Sequence, residues 1–322
     1  MAQIKELQTD NYTIKSGHLD VGNGHKVYFE QWGNPKAKTP IICFHGGPGS
    51  RYKAYYKTIA FDPKVHQVIF FDQRGCGNSL PYGKLEHNTT QDIISDASKI
   101  LAHLGIKRMY AYGRSWGCTL ATLFTIQFPH LVKATIVGGV YTGSRAETDY
   151  VDNGYFKNFY PEVWDQLQDS VPKKFRDNPT AYHYDKLAYG NTEEIATSAK
   201  ALEDLELPLL RFDWQGYPAT IPSIQTGDKK EPYDHVPYQI YAHYLSQGCF
   251  LPDGYILQEA SKVKSPFAIV QGRYDMACPF KTAYALHQAI PQSKLYVTLA
   301  GHSSNDPENR TVTRALIDML FI

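Results

Sequence analysis

Two kinds of apolar pattern divide the chain. Apolar and polar residues alternate along 12–21 and again along 26–32, and the VGNGHK between them is rich in turn formers. Alternation of this kind predicts an antiparallel hairpin with one buried face. Farther on, PIICFH (40–45), HQVIFFD (66–72), RMYAYG (108–113) and ATIVGGV (134–140) are short, largely apolar runs. That is the pattern of strands covered on both faces. Residues 90–104 and 115–128 between them read as helices, and strands alternating with helices predict a parallel sheet.

The texture changes after residue 140. Residues 144–259 are rich in Tyr, Phe, Trp, Asp and Pro and contain no strong strand. FKNFYPEVWDQL and TEEIATSAKALEDLEL read as helices, and DWQGYPATIPSIQTGDKKEPYDHVP as long loops. The alternation then returns with PFAIVQG (266–272), a helix over 280–289, KLYVTLA (294–300) and a last helix from 306. The expected architecture is an α/β core of residues 1–143 and 260–322, with a mostly parallel central sheet of about eight strands flanked by helices. A helical cap of residues 144–259 interrupts it.

Composition narrows the function. Hydrophobic residues make up 43% of the 322, enough for a sizeable core. Thirty-three basic residues against 32 acidic ones give a net charge of +1, which leaves no basic excess for a nucleic-acid partner. The five cysteines, at 43, 76, 118, 249 and 278, form no CxxC spacing and are expected to be reduced and buried, as in a cytoplasmic protein. MAQIKELQTD lacks the apolar region of a secretion signal, and no apolar run is long enough to span a membrane. A cytoplasmic enzyme with no membrane partner is expected, more readily a monomer than an oligomer.

The candidate chemistry starts at Gly113-Arg114-Ser115-Trp116-Gly117. Gly-x-Ser-x-Gly alone is weak, but here a strand precedes it and a helix follows it. That is the setting of a nucleophile held on a strained turn. A serine hydroxyl needs a base, and the base needs an orienting acid. In this setting the chain order is Ser, acid, His. Asp275 follows strand 266–272 in QGRYDMACP, and His302 follows strand 294–300 in AGHSS. Each of the three lies beyond a parallel strand, so the sheet would gather them at one edge. His45 and Asp72 also follow strands but precede the serine, which suits loop-shaping roles. HGGPG (45–49) could supply backbone donors for an oxyanion, with Gly47 giving one N–H and Trp116 the other.

These pieces resemble the α/β-hydrolases, and more narrowly the proline iminopeptidase family. The matching segments are HGGPGS, FFDQRGCGNS, GRSWGCTLA, QGRYDMACP and AGHSS, spread from 45 to 304. The resemblance implies a cofactor-free and metal-free serine peptidase that releases an N-terminal residue, classically proline, from short peptides. It makes Ser115, Asp275 and His302 the triad, and Gly47 and Trp116 the oxyanion hole. Gly46 is expected beside the substrate. Arg114 stands where the family usually has glycine. Of two cap glutamates that bind the substrate ammonium in the family, Glu206 is kept, after Leu205 in place of tryptophan, and Tyr241 takes the position of the other. Glu203, Asp204 or Asp253 could then assist Glu206. The alternative is an esterase or amidase of the same fold acting on small substrates without a free amine. A ligand-binding receptor on this scaffold would require a broken triad.

Overall fold

The computed structural model describes residues 9–52, 54–211 and 233–321. Strands β1 (Thr13–Gly22) and β2 (His25–Gly33) form the expected hairpin, closed by Asn23 and Gly24, both at positive φ. That pair of backbone conformations matches the twist of the flanking strands. Next come β3 (Ile41–Phe44), α1 (Ala54–Ala60), β4 (Gln67–Phe71), α2 (Thr90–His103), β5 (Met109–Ser115), α3 (Trp116–Gln127) and β6 (Val132–Val140). Five helices follow: α4 (Arg145–Asp152), α5 (Pro161–Asp169), α6 (Pro179–Tyr189), α7 (Thr192–Leu210) and α8 (Val236–Ser246). The chain ends with α9 (Tyr255–Glu259), β7 (Phe267–Gly272), α10 (Phe280–Ala289), β8 (Ser293–Thr298) and α11 (Pro307–Leu320).

The eight strands form one sheet in the order β1-β2-β4-β3-β5-β6-β7-β8. Only the pairings of β2 with β1 and with β4 are antiparallel. Successive side chains sort to opposite faces. Ile42, Phe44, Ile69, Phe71, Ala111 and Val137 pack with α2, α3 and α10, while Ile41, Cys43, Val68, Phe70, Tyr110 and Ile136 pack with α1 and α11. Both faces are covered, which is why β3, β4 and β7 are apolar runs buried end to end.

The helices have local causes. A reciprocal capping box between Thr89 and Asp92 starts α2, and Ile93, Ile94, Ala97, Ile100 and Leu101 then bury one face. Helix α3 is buried all round. Its threonines find partners within the protein: Thr125 Oγ1 donates to the Ala121 carbonyl at 2.8 Å and Thr119 Oγ1 to the Tyr141 carbonyl at 2.7 Å.

Helices α5, α6 and α7 share a separate apolar cluster around Phe156, Leu167, Leu187, Leu202 and Leu209. The aromatic-rich stretch 149–164 feeds this cluster through Phe156 and Trp164. Ala242 of α8 joins the same cluster, whereas Ile240 and Tyr244 of α8, with Cys249, join the main core. Sequence patterning anticipated α5 and α7 but not α1, α4, α6 or α8. Most of the expected loop 213–237 lies outside the described residues, and its end is helical, because α8 begins at Val236 beside Pro237. All five cysteines are free and buried. Among the described residues no helix is long and apolar enough to cross a membrane.

Candidate active site

Ser115 ends β5 and caps α3 with φ 57° and ψ −129°. Such a backbone is costly for a residue with a side chain, on the order of 1–3 kcal/mol, so the surroundings must impose it. The two flanking glycines show how. A Cβ at Gly113 would lie 2.0 Å from the Gly117 carbonyl oxygen, and one at Gly117 would lie 2.1 Å from that of Phe44. Strand, turn and helix are pressed together too tightly for any side chain at either place.

Asp275 and His302 meet just beyond β7 and β8. His302 Nδ1 lies 2.9 Å from Asp275 Oδ2 and 3.1 Å from Oδ1. The carboxylate is fixed in turn. Oδ1 accepts from the N–H groups of Ala277 and Cys278, and Oδ2 from Gln271 Nε2 at 3.0 Å. Gln271, fully buried, also accepts the Val140 N–H through Oε1 at 2.7 Å. With Nδ1 committed to Asp275, Nε2 remains as the ring atom for proton transfer. It makes no hydrogen bond among the described residues, and His302 and Ser115 line one cleft.

The His302 loop is anchored from behind. Asn309 on α11 donates to the carbonyls of Gly301 and Ser303, and Arg114 Nη2 donates to the His302 carbonyl at 3.0 Å. Arg114 therefore packs behind the turn, across Gly138, where a Cβ would meet its guanidinium at 2.2 Å. Gly139 likewise leaves room for the imidazole, since a Cβ there would sit 2.9 Å from His302 Cε1.

The glycine loop is locked against the turn through a network that sequence reasoning missed. The Gln73 N–H donates to His45 Nε2 at 3.0 Å, so His45 carries its proton on Nδ1 and donates to the Gly46 carbonyl at 2.8 Å. Burial lowers the His45 pKa, in keeping with this neutral ring. The Gln73 side chain donates to the His45 carbonyl and accepts from the Trp116 indole, both at 3.0 Å. Asp72 accepts the Asn78 N–H at 2.8 Å. Both rivals to the triad thus have loop-holding roles. Gly47 has φ 117°, and Trp116 opens α3, where helical N–H groups have no partner within the helix.

Cys278 adjoins the Ser115 side chain, and burial pushes its thiol well up, so it stays a thiol rather than a thiolate. Asp275, Cys278 and His302 place ligand-type atoms within 4.8 Å of one another. The aspartate and imidazole atoms of that set are committed to each other and to the N–H donors above.

Comparisons with known proteins identify the family. A family model described as the alpha/beta hydrolase fold matches residues 39–307. A proline iminopeptidase of Neisseria gonorrhoeae is 33% identical, covering 92% of this chain and 94% of that protein. A probable proline iminopeptidase of Leptolyngbya boryana is 34% identical, covering 98% and 96%. The chain belongs to the proline iminopeptidase family of α/β-hydrolases. Solved structures show the same fold at lower identity. The proline iminopeptidase of Mycobacterium smegmatis has a TM-score of 0.58 at 18% identity, covering 95% of this chain and 98% of that one. An esterase from Exiguobacterium antarcticum has a TM-score of 0.59 at 19% identity, covering 96% and 100%.

For a member of the proline iminopeptidase family, the wall opposite Ser115 is the informative one. Three cavities share Ser115 and Gly47 in their walls. The pocket under α4 and α7 is lined by Tyr141, Glu147, Asp152, Tyr184, Glu206, Tyr241 and apolar residues including Val151 and Leu209. Glu206 also faces a groove lined by Glu203 and Tyr238. Its carboxyl is pushed up to about 7 by burial, against the hydrogen bonds from Tyr238 and Tyr241.

Tyr241 thus faces the pocket and supports Glu206. Gly46 borders Ser115 on the His302 side instead, where a Cβ would lie 3.5 Å from Ser115 Cβ. Of the auxiliary acids, Asp204 pairs with Lys200, and the exposed Asp253 accepts the Arg145 N–H. The aromatics of 149–164 do not line these cavities, whereas Asp152, which sequence reasoning passed over, does. The signal for its helix was Ser144-x-x-Glu147, a capping box that starts α4.

Proposed function

We propose that this protein is a serine aminopeptidase that releases an N-terminal residue, most readily proline, from short peptides. The observation that carries the reading is the Ser115 pocket itself. It joins a serine on a strained turn to a carboxylate, Glu206, with no Lys, Arg or His among the described lining residues. An unpaired buried carboxylate is unfavourable, and a substrate ammonium would relieve it.

In the mechanism, Ser115 Oγ attacks the carbonyl carbon of the first residue while His302 Nε2 takes the hydroxyl proton. Asp275 keeps the other ring nitrogen as donor and stabilises the imidazolium. The N–H groups of Gly47 and Trp116 receive the developing oxyanion. Collapse breaks the C–N bond, and His302 returns its proton to the leaving amine, producing an acyl-enzyme. Water then attacks with His302 again as base, releasing the amino acid and restoring the serine. Residues 144–259 act as a cap that admits only the chain terminus, and no metal or organic cofactor enters a step.

A second reading, an esterase or amidase for amine-free substrates, is favoured by Tyr241 in place of the second glutamate. Hydrolysis of L-prolyl-arylamide against its N-acetyl counterpart separates them. The aminopeptidase reading expects a strong preference for the free amine, and a preference for the blocked compound rejects it.

A further inference from the structure

The resemblance places a second glutamate where this chain has Tyr241, yet the pocket does not lack a second carboxylate. Glu147, Asp152 and Glu206 all line it. Glu147 is spoken for: it accepts from the N–H and hydroxyl groups of both Thr142 and Ser144 at the start of α4. Asp152, at the other end of α4, is engaged on one side only. Thr180 Oγ1 donates to its Oδ1 at 2.6 Å, and Oδ2 accepts no hydrogen bond among the described residues. Residues 147, 148, 151 and 152 all face the cavity, the spacing of one helical face. Tyr184 and Tyr241, hydrogen-bonded to each other, lie within the electrostatic reach of both Asp152 and Glu206.

We propose that Asp152 is the second substrate-ammonium anchor, so that the amine is held between α4 and α7 and the charge absent at Tyr241 is supplied from a different helix. This rests on the aminopeptidase reading of the same pocket. The chemistry fits an imino acid. A protonated proline nitrogen has two N–H donors, and two carboxylates from separate helices can take one each. A primary ammonium has a third donor that needs a further acceptor. Burial also pushes the Asp152 carboxyl up, to about 6, as expected of an acid awaiting a cation.

The test uses the intact protein and a reading independent of turnover: protection of Ser115 from a fluorophosphonate probe by L-prolinamide. Prolinamide should protect the wild type. In Asp152→Asn the protecting concentration should rise roughly tenfold or more, the scale of one lost charged hydrogen bond, and Glu206→Gln should behave similarly. Asp152→Glu should retain most of the protection. Asp149→Asn, which removes a charge paired with Arg145 on the same helix, should leave it unchanged, and thermal melts confirm folding. Equal protection of the wild type and a folded Asp152→Asn would overturn the assignment, as would failure of prolinamide to protect the wild type. If prolinamide protects in the expected pattern but prolyl-arylamide is not cleaved, the amine seat stands and the aminopeptidase reading fails.

Discussion

The two walls of the Ser115 pocket are built differently. On the sheet side Ser115, Asp275 and His302 stand at or beyond the ends of the parallel strands β5, β7 and β8, and each is fixed by backbone or by a buried amide: the two glycines of the turn, Gln271, and Asn309 behind the histidine loop. On the helical side Glu206, Asp152, Tyr184 and Tyr241 come from four helices, with Tyr241 hydrogen-bonded to Glu206 and to Tyr184 and Asp152 to Thr180. In the proposed mechanism the first wall carries out the chemistry. The second is an acidic surface without a cation among its described residues, and in the proposed function it selects the substrate. Positioning is strongest where strands converge, whereas specificity is easily rewritten where one helical residue can replace another.

The comparison predicts a graded set of effects. Ser115→Ala should lower turnover of prolyl-arylamide by at least about 10⁴-fold with an unchanged melting temperature, checked by steady-state kinetics and calorimetry. Asp275→Asn leaves the imidazole in the wrong tautomer and should cost on the order of 10³–10⁴-fold in kcat, with little change in KM.

On the opposite wall Glu206→Gln should act mainly on KM for free-amine substrates, by roughly tenfold. Its stability effect has a definite sign. The folded carboxyl titrates near 7, above the ordinary carboxylate range, because burial outweighs its tyrosine partners. Tyr238, Tyr241, Tyr184, Glu203 and His302 are ionisable groups around it. Stability is therefore lost as pH rises from the ordinary range through 7. Relative to wild type, Glu206→Gln should melt higher at pH 8 and alike at pH 4. Smallest, Arg114→Met removes one of several anchors of the His302 loop and should lower kcat only about three- to tenfold, with Arg114→Lys recovering part of it. If Arg114→Met matched Asp275→Asn, the redundancy assigned to the sheet-side wall would be wrong.

The same contrast explains what the sequence made legible. The strand runs and the HGGPG loop are readable because each is a run of adjacent residues, and Ser115, Asp275 and His302 are readable because each directly follows such a run. Gln271 and Gln73 are not, since a buried amide has no local pattern and matters only once strands are paired. Asp152 was overlooked for another reason. Its helix is announced by Ser144 and Glu147, but nothing local in an aromatic-rich stretch tells which face turns inward, and only the packing of α4 against α6 shows which residues face the pocket. Helix α8 was obscured by the polar, proline-rich stretch before it, and its Tyr244 packs against Trp116 rather than with the other inserted helices.

The central claim is that the Ser115 hydroxyl depends on His302 for its reactivity. Labelling with a fluorophosphonate followed by peptide mass spectrometry tests it most directly. The account predicts a single adduct on Ser115 in the wild type and a labelling rate that collapses in His302→Ala. An adduct on another residue, or an undiminished rate in a folded His302→Ala variant, would contradict it.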